Sequence, residues 1–393
     1  MGKSSSVYLV DGVRTPIGSP FKSLREFSAA KLSALVLKEL VRRNRIAPDQ
    51  IQEVIWGNVV SAGTGQNFAR EAVIAAGFPP SLPAYLINNV CGAGLQALVL
   101  ASRAIRSGDG DCFVVGGAES VSNAPGLNLE GFDPNHPDPS KQVKSSVHDG
   151  LLCQMTGRRM GELCEATARK SRISREDQDR FALESHRKAV AAQEQGKFAR
   201  EIIPCRTADG KVVERDERPR KNLTIERLEA LKPAFDPAGT LTAGNSSIPC
   251  DAAGGALVVS EDFAGKNRLK PLARVLGYSS IAVDPAEVFT CGPAVVRSCL
   301  KNAGMELKDI DLFEISEAFA AQMIHTVRGL EIPESKINIW GGDVALGHPL
   351  GAAGARVLVT LMHALVDQQK ARGLACVCFG GGGAMAVAVE RLA

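Results

Sequence analysis

The sequence predicts a layered α/β protein made of two similar halves, with a third segment inserted between them. Three observations support this fold class. Glycine-bounded, β-rich runs alternate with amphipathic helical patterns near both ends of the chain, which is typical of layered α/β architecture. The last third of the chain repeats the plan of the first third, and residues 120–247 differ from both in composition. The repetition indicates a duplicated fold.

The repeated plan is a strand, a glycine-rich helix start, a helix and another strand. In the first half these elements are residues 85–90, the run Cys91-Gly-Ala-Gly94, residues 95–106 and residues 112–115. In the last third the glycine-rich start is residues 347–351, the helix runs to about residue 369, the strand is residues 374–378, and glycines follow at 380–383. Each half therefore carries a polar, reactive residue where a helix begins.

The inserted segment has loop and helix signals. Residues 131–140 are rich in Pro and Asp and predict an irregular surface loop. Ser174 and Asp177 have the spacing of a capping box, which predicts a charged helix to about Gln195. The predicted division is residues 1–119 for the N-terminal half, completed by about residues 248–270, residues 120–247 for the loop and helical subdomain, and residues 271–393 for the C-terminal half.

The bulk composition is that of an ordinary globular protein. Of 393 residues, 45% are hydrophobic, and the formal net charge of +3 gives no chain-wide positive field for nucleic acid. The N-terminus lacks the features of a signal or transit peptide, and no uninterrupted apolar run is long enough to cross a bilayer. We expect a soluble, cytoplasmic protein with small-molecule partners and with neither nucleic-acid nor membrane partners.

The ten cysteines have no Cys-X-X-Cys pair among them, and the histidines form no cluster at zinc-ligand spacing. In a chain without an export signal, this pattern indicates neither a disulfide framework nor a metal site. Most of the thiols should be buried and unreactive.

Cys91 is the first candidate for chemistry. It follows a strand and precedes Gly92 and Gly94 at a helix start, where free backbone N–H groups and the helix dipole favour an anion. Such a position promotes formation of a thiolate. A lone cysteine in a strand is more often a core residue, so this evidence needs support from elsewhere in the chain.

A dinucleotide site is the competing interpretation of the same segment. Gly92, Gly94 and Ala97 also fit the G-x-G-x-x-A pattern after a strand, and Glu119 ends the next strand where a ribose-binding acid could stand. The pattern is weak when taken alone. Cys91 in the turn itself, and a second reactive pair far downstream, count against an oxidoreductase.

The downstream pair is His348 and Cys378. His348 lies between Gly347 and Pro349, where its imidazole could polarise a carbonyl or accept a proton from a thiol. Cys378 ends a strand and meets Gly380, the first of four glycines whose N–H groups could form an oxyanion hole. The bland alternatives are a structural histidine and a tight glycine turn. Together with Cys91, the pair suits acyl transfer to carbon.

At these residues the sequence resembles the thiolase family, over essentially the whole chain. The blocks that carry the resemblance are residues 14–18, 57–58, 63–67, 89–94, 116–120, 242–247, 317–322, 347–351 and 378–382. The resemblance implies a five-layered α/β/α/β/α core of two halves with a loop domain between them, assembled as a homodimer or homotetramer.

The resemblance also implies roles. Cys91 matches the nucleophile that takes the acyl group, Cys378 the base that removes the α-proton of a second acyl-CoA, and His348 the residue that activates the nucleophile and holds the enolate oxygen. The N–H groups of Cys91 and Gly380 match a second oxyanion hole. Coenzyme A would be a substrate rather than a resident cofactor, with Arg220 at its nucleotide end and its remaining contacts at Ser247, Met160, Arg159, Ala318 and Phe319.

Several positions depart from the usual family pattern. Ser316 stands where most members have the Asn that holds a water of the enolate oxyanion hole, so restoring Asn is expected to raise turnover. Arg159 replaces a His beside the pantetheine, Phe289 replaces a Met of the acyl pocket, and residues 127–147 differ from the usual tetramerisation segment.

The resulting hypothesis is an acetyl-CoA acetyltransferase-like thiolase of fatty acid metabolism, acting on short acyl-CoAs through acylated Cys91. The alternatives are a degradative 3-ketoacyl-CoA thiolase of broader chain length, a thiolase-like CoA-binding protein with little turnover, and the dinucleotide-dependent oxidoreductase.

Overall fold

The computed structural model describes residues 6–128 and 143–392 of the chain. Within these residues, nine strands form one large hydrogen-bonded sheet. They are β1 (Val7–Arg14), β2 (Glu53–Gly57), β3 (Ala84–Ile87), β4 (Cys112–Glu119), β5 (Ala252–Ser260), β6 (Ala273–Ala282), β7 (Leu312–Ile315), β8 (Arg372–Phe379) and β9 (Gly383–Arg391).

The sheet consists of two half-sheets that share the order of four strands, and the first half-sheet has β3 as an additional edge strand. Its strand order is β7-β8-β9-β6-β1-β5-β4-β2-β3. In the first half-sheet, β1 pairs antiparallel with β5, β5 pairs antiparallel with β4, and β4 pairs parallel with β2. In the second half-sheet, β6 pairs antiparallel with β9, β9 pairs antiparallel with β8, and β8 pairs parallel with β7. The halves meet through only two residue pairs, Tyr8 with Arg274 and Leu9 with Ala273. This matched strand order confirms the duplicated α/β fold.

Helices cover both half-sheets and fill the space between them. The helices are α1 (Ala29–Asn44), α2 (Phe68–Ala75), α3 (Ala93–Ser107), α4 (Met160–Lys170), α5 (Arg175–Glu194), α6 (Ile225–Glu229), α7 (Glu261–Lys266), α8 (Gly292–Ala303), α9 (Ala320–Leu330), α10 (Asp343–Leu346) and α11 (Ala353–Asp367). Helices α3 and α11 pack on each other between the half-sheets, α1 lies on the outer face of the first and α8 on the outer face of the second. Helices and sheets therefore alternate as five layers.

The apolar core follows these layers. One buried cluster lies between the half-sheets around α3 and α11, a second lies under α1 and α2, and a third lies under α8 and α9. The stretch Leu350–Asp367 has the length and composition of a membrane span, but 89% of it is buried inside the protein. Its apolar character is explained by its place in the central layer.

The helix expected after Ser174 is confirmed. The Ser174 side chain accepts a hydrogen bond from the Asp177 N–H, and α5 begins at the next residue and ends at Glu194. The strand expected at residues 85–90 is shorter than predicted. β3 ends at Ile87, because Val90 has a left-handed φ of 49° and turns the chain into α3. The predicted loop at residues 131–140, and most of the divergent segment 127–147, lie outside the described residues.

Candidate active site

Cys91 lies in a tight turn between β3 and α3. The turn is fixed by Asn88, whose side-chain Oδ1 accepts a hydrogen bond of 2.9 Å from the Val90 N–H. Val90, immediately before the cysteine, has a backbone conformation that β-branched residues rarely adopt. Such strain is found where the surrounding structure forces a side chain into a particular position. Here it directs Cys91 to the start of α3.

The glycines after Cys91 are required by packing. A Cβ atom on Gly92 would lie 2.6 Å from the ring of Phe379, and one on Gly94 would lie 2.5 Å from the backbone nitrogen of Ala355 in α11. These glycines let the end of β8 and the neighbouring helix approach closely. They bring the C-terminal half against Cys91 of the N-terminal half, and they do not border an open phosphate site.

Glu119 is equally committed to structure. Its carboxylate is buried and accepts hydrogen bonds from the Asn58 side chain at 2.7 Å and from the N–H groups of Val60 at 3.1 Å and Gly351 at 3.0 Å. It therefore ties the first half-sheet to the loop that carries His348. With its oxygens so occupied, Glu119 cannot act as a ribose-binding acid, and the dinucleotide interpretation fails.

His348 is placed by main-chain hydrogen bonds on both sides. Its N–H donates to Ile248 at 2.9 Å, and its carbonyl accepts from Cys250 at 3.2 Å. Its side chain is 5% exposed and reaches the cavity that contains Cys91. Cys91 and His348 therefore face the same small space, although they lie in different halves of the chain.

A hydrogen-bonded carboxylate supports the other side of the imidazole. Nδ1 of His348 lies 3.2 Å from Oδ2 of Asp343. Burial alone would lower the pKa of His348. The negative charge of Cys91 and the hydrogen bonds with Asp343 and Cys91 outweigh burial and raise that pKa to about 10. The arrangement therefore favours the imidazolium form of His348.

Asp343 is in turn held by a buried arginine. Nη2 of Arg356 donates to Asp343 Oδ1 at 2.6 Å, and Nη1 donates to Glu314. Burial opposes ionisation of Asp343, but the charge of Arg356 and the contacts with His348 hold its pKa at about 2. Asp343 is thus a stable anion behind the histidine.

Cys378 and Gly380 complete the opposite wall. Cys378 is 6% exposed at the end of β8 and borders the cavity together with Gly380. Burial, with a smaller contribution from neighbouring Cys291, raises the pKa of Cys378 well above its usual value. Its resting state is therefore a neutral thiol, able to donate a proton before it acts as a base.

Two backbone donors point to an oxyanion hole. Across the described part of the chain, the N–H groups of Cys91 and Gly380 donate to no protein acceptor. Both residues line the cavity. Unpaired, preorganised N–H groups in a largely buried site are suited to stabilise an oxygen that gains negative charge.

Ser316 occupies a different place from the one expected from the resemblance. Its hydroxyl donates to Asp343 Oδ2 and lies 3.5 Å from His348 Nδ1. The side chain is fully buried and does not border the cavity. Ser316 therefore lies behind the histidine, on the Asp343 side.

The remaining cavity lining is mainly apolar. The cavity has a volume of about 60 Å³ and includes four residues expected beside coenzyme A, which are Met160, Ser247, Ala318 and Phe319. Ser247 is fixed by a 2.9 Å hydrogen bond from its hydroxyl to the Ala318 carbonyl. Phe289 and Phe319 form an edge-to-face pair with ring centroids 5.2 Å apart. These rings limit the depth of the space beside Cys91.

Arg220 and Arg159 lie outside this cavity. Arg220 borders a separate surface pocket of about 370 Å³, which is also lined by Arg218, Lys221 and Arg227. Gly244 lines this pocket, and Ser247, three residues further along the chain, borders the cavity. Arg159 is exposed, pairs with Glu162 at 2.7 Å and stacks over Phe235. Arg220 is thus part of a basic pocket, whereas Arg159 is bound to its own helix.

Sequence reasoning missed Asp343 and Arg356. Asp343 is five residues before His348, and an acid within an otherwise apolar and glycine-rich run was a signal that the spacing alone could not interpret.

All ten cysteines are unpaired and buried. Within residues 6–128 and 143–392, no group of three or more His, Cys, Asp or Glu side chains is arranged to hold a metal ion.

This fold and this site define an acyltransferase. The family description "Thiolase, N-terminal domain" matches residues 7–262, and "Thiolase, C-terminal domain" matches residues 269–391. The chain belongs to the thiolase family and is an acyltransferase enzyme.

Individual relatives resemble the chain over nearly its full length. An acetyl-CoA acetyltransferase of Escherichia coli (strain K12) is 43% identical over 389 residues, covering 98% of each chain. The crystal structure of Bacillus anthracis acetyl-CoA acetyltransferase has a TM-score of 0.95 and 35% identity, covering 99% of each chain. Human mitochondrial 3-ketoacyl-CoA thiolase in complex with CoA has a TM-score of 0.93 and 34% identity, covering 99% of this chain and 98% of the human chain.

Proposed function

We propose that the enzyme acts on short acyl-CoAs, condensing two acetyl-CoA molecules or cleaving acetoacetyl-CoA with coenzyme A. The observation that carries this proposal is the cavity beside Cys91. Its volume of about 60 Å³ and its apolar lining suit an acyl group of a few atoms. The acetyl-CoA acetyltransferase names of relatives at similar length and fold support the same choice.

In the first half-reaction, the Cys91 thiolate attacks the thioester carbonyl. The N–H groups of Cys91 and Gly380 stabilise the oxygen of the tetrahedral intermediate. The neutral Cys378 thiol donates its proton to the departing CoA sulfur. Burial favours the protonated form of Cys378, which suits it to this step.

In the second half-reaction, the Cys378 thiolate removes an α-proton from a second acyl-CoA. Nε2 of His348 donates to the enolate oxygen, since Nδ1 faces Asp343. The enolate carbon then attacks the acyl carbonyl on Cys91, which forms the carbon–carbon bond and releases the thiolate. Thiolysis is the reverse sequence. All three groups border one cavity, which argues against a protein that binds CoA without turnover.

For coenzyme A, we place the pantetheine arm along Ser247 and Ala318 and the anionic end at the basic pocket around Arg220. That pocket contains four cationic side chains and no carboxylate among its lining residues, a combination that suits phosphate groups. The human 3-ketoacyl-CoA thiolase named above has been crystallised with CoA, which supports CoA as the ligand class. We also propose a cytoplasmic homodimer or homotetramer.

A degradative enzyme of broader chain length is the second candidate, because the human 3-ketoacyl-CoA thiolase has a comparable fold similarity. Steady-state kinetics on 3-ketoacyl-CoAs of increasing length separates the two. We expect kcat/KM to be highest for acetoacetyl-CoA and to fall with length. Phe289→Leu should lessen that fall, with Phe263→Leu, in a different apolar cluster, as the control. Equal or rising kcat/KM with length in the unmodified enzyme would contradict the short-chain proposal.

A further inference from the structure

Asp343 lies at the centre of a buried chain of charged groups that ends at the nucleophile. The chain runs from Glu314 through Arg356 and Asp343 to His348, which hydrogen bonds Cys91. Asp343, Glu314 and Arg356 are each at most 2% exposed. A buried ionised carboxylate is costly unless it is well paired. The pairing of the Asp343 carboxylate with Arg356 and His348 therefore indicates that its negative charge has a role in the site.

The charges of the buried groups behind His348 balance among themselves. Burial raises the pKa of Glu314 to about 8, despite the nearby Arg356, so Glu314 is mainly neutral near pH 7. Arg356 then compensates Asp343. The second carboxylate oxygen of Asp343 lies 3.2 Å from Nδ1 of His348, and this negative charge favours the imidazolium form of His348 beside Cys91.

The other groups near His348 do not supply the negative charge that favours a protonated imidazole. Cys378 faces it across the cavity as a neutral thiol. Cys250 contacts it through the main chain, and Ser316 contributes an uncharged hydroxyl. Arg218 approaches Gly347, next to the histidine, and would disfavour a second positive charge. Glu317 acts on Asp343 and is bound by Asn338 and Ser185.

We propose that Asp343 is a positioning residue that makes Cys91, His348 and Asp343 a cysteine–histidine–aspartate triad. Its carboxylate orients the imidazole with Nε2 toward the cavity and stabilises the imidazolium. This imidazolium in turn stabilises the Cys91 thiolate that attacks the thioester. Ser316 has a supporting role, because its hydroxyl binds the same carboxylate oxygen as His348 does. The proposal rests on the proposed function only for the identity of the nucleophile.

A second buried arginine elsewhere in the protein provides a matched control for the contacts of Arg356 and Asp343. Arg14 is also buried between two carboxylates, Glu201 at 2.6 Å and Asp216 at 2.7 Å. Glu201 makes no contact with the triad and binds Arg14 and Thr360 instead. Glu201→Gln therefore removes one charge from a buried arginine pair, as Asp343→Asn does, without touching His348.

The test is the rate at which Cys91 is alkylated by iodoacetamide between pH 5 and pH 9, followed by peptide mass mapping. No coenzyme A is needed, so the outcome is independent of substrate choice. We expect Asp343→Asn to lower the rate at pH 7 by about tenfold or more and to move the midpoint of the pH profile upward by about one unit. Glu201→Gln should keep the profile of the unmodified enzyme. An unchanged profile in Asp343→Asn, or the same shift in both variants, would overturn the proposal.

A second measurement uses the unmodified enzyme, so it decides the question even if Asp343→Asn does not fold. In ¹⁵N-histidine-labelled protein, the His348 resonances, assigned with His348→Asn, should show a protonated ring at pH 7.5. Alkylation of Cys91 should shift those resonances toward the neutral ring, because the thiolate charge is lost. A neutral His348 in the free enzyme at pH 7.5 would refute the triad.

Discussion

Nδ1 of His348 lies 3.2 Å from Oδ2 of Asp343, and both side chains are buried. This contact leaves Nε2 of His348 as the ring atom available to the cavity. The two residues are five positions apart, and the chain between them turns at Gly347, which has a φ of 103°. The imidazole of His348 is therefore oriented by Asp343, the first residue of α10, before any substrate binds.

The first prediction concerns Ser316→Asn, which we now expect to lower turnover. Ser316 is fully buried, and its hydroxyl fills the space between Asp343 and His348. A longer amide side chain would displace one of them, and overpacking of this kind costs about 1–3 kcal/mol. Steady-state kinetics with acetoacetyl-CoA should show a fall of about tenfold. Ser316→Ala, which adds no bulk, should lose less. A gain in turnover for Ser316→Asn would instead support the water-holding role expected from the sequence.

The second prediction separates the two half-reactions. Cys378→Ala should still become acylated at Cys91 when mixed with acetyl-CoA, at a rate reduced by loss of the proton donor, but it should form no detectable acetoacetyl-CoA. The variant also removes the base that the second half-reaction requires. Intact-mass spectrometry measures the acyl-enzyme, and absorbance of the enolate measures the product. A Cys378→Ala protein that completes condensation at a normal rate would show that another group is the base.

The third prediction is a pH dependence of stability that arises at the basic pocket. Burial, together with Arg218 and Arg220, lowers the pKa of His186 from 6.5 to about 4. Its Nδ1 accepts a hydrogen bond from the Arg220 N–H at 3.2 Å, which requires the unprotonated ring. Since the folded pKa is the lower one, the unfolded chain binds the extra proton. The contribution of His186 to stability is therefore present above pH 6.5 and is lost as the pH falls toward 4.

His186→Asn removes this titration while leaving a side-chain oxygen to accept the hydrogen bond. The unfolding free energy of the unmodified enzyme, measured relative to this variant, should fall by at most about 3 kcal/mol between pH 7 and pH 4. Urea denaturation at three pH values measures the difference. A difference that does not change with pH would show that His186 has an ordinary pKa in the folded protein.

Much of the fold and the three reactive side chains could be predicted from local sequence. The alternation of strand and helix patterns predicted the duplicated core, because the spacing of apolar residues within each strand or helix is visible in a short stretch of sequence. Cys91, His348 and Cys378 each stand beside glycines that allow close packing, and such glycines are visible in the sequence. The family resemblance supplied their roles.

The electrostatic support of the site could not be predicted in the same way. Asp343, Arg356 and Glu314 come together through tertiary packing of a strand, a short helix and α11. The spacing of residues in the sequence does not show which carboxylate an arginine side chain will bind. The position of the Ser316 hydroxyl could not be predicted for a related reason, since it binds Asp343, a partner that the sequence did not identify. The early end of β3 likewise follows from the strained turn at Val90.

The cysteine that carries the acyl group is identified by peptide mass spectrometry after the enzyme is mixed with acetyl-CoA and quenched with acid. Cys91 lies at the start of α3, faces His348 and borders the cavity with two free backbone donors. We expect a mass increase of one acetyl group on the peptide that contains Cys91, its loss on addition of coenzyme A, and its absence in Cys91→Ala. Acetylation of a different cysteine, or normal turnover by Cys91→Ala, would show that Cys91 is not the acylation site.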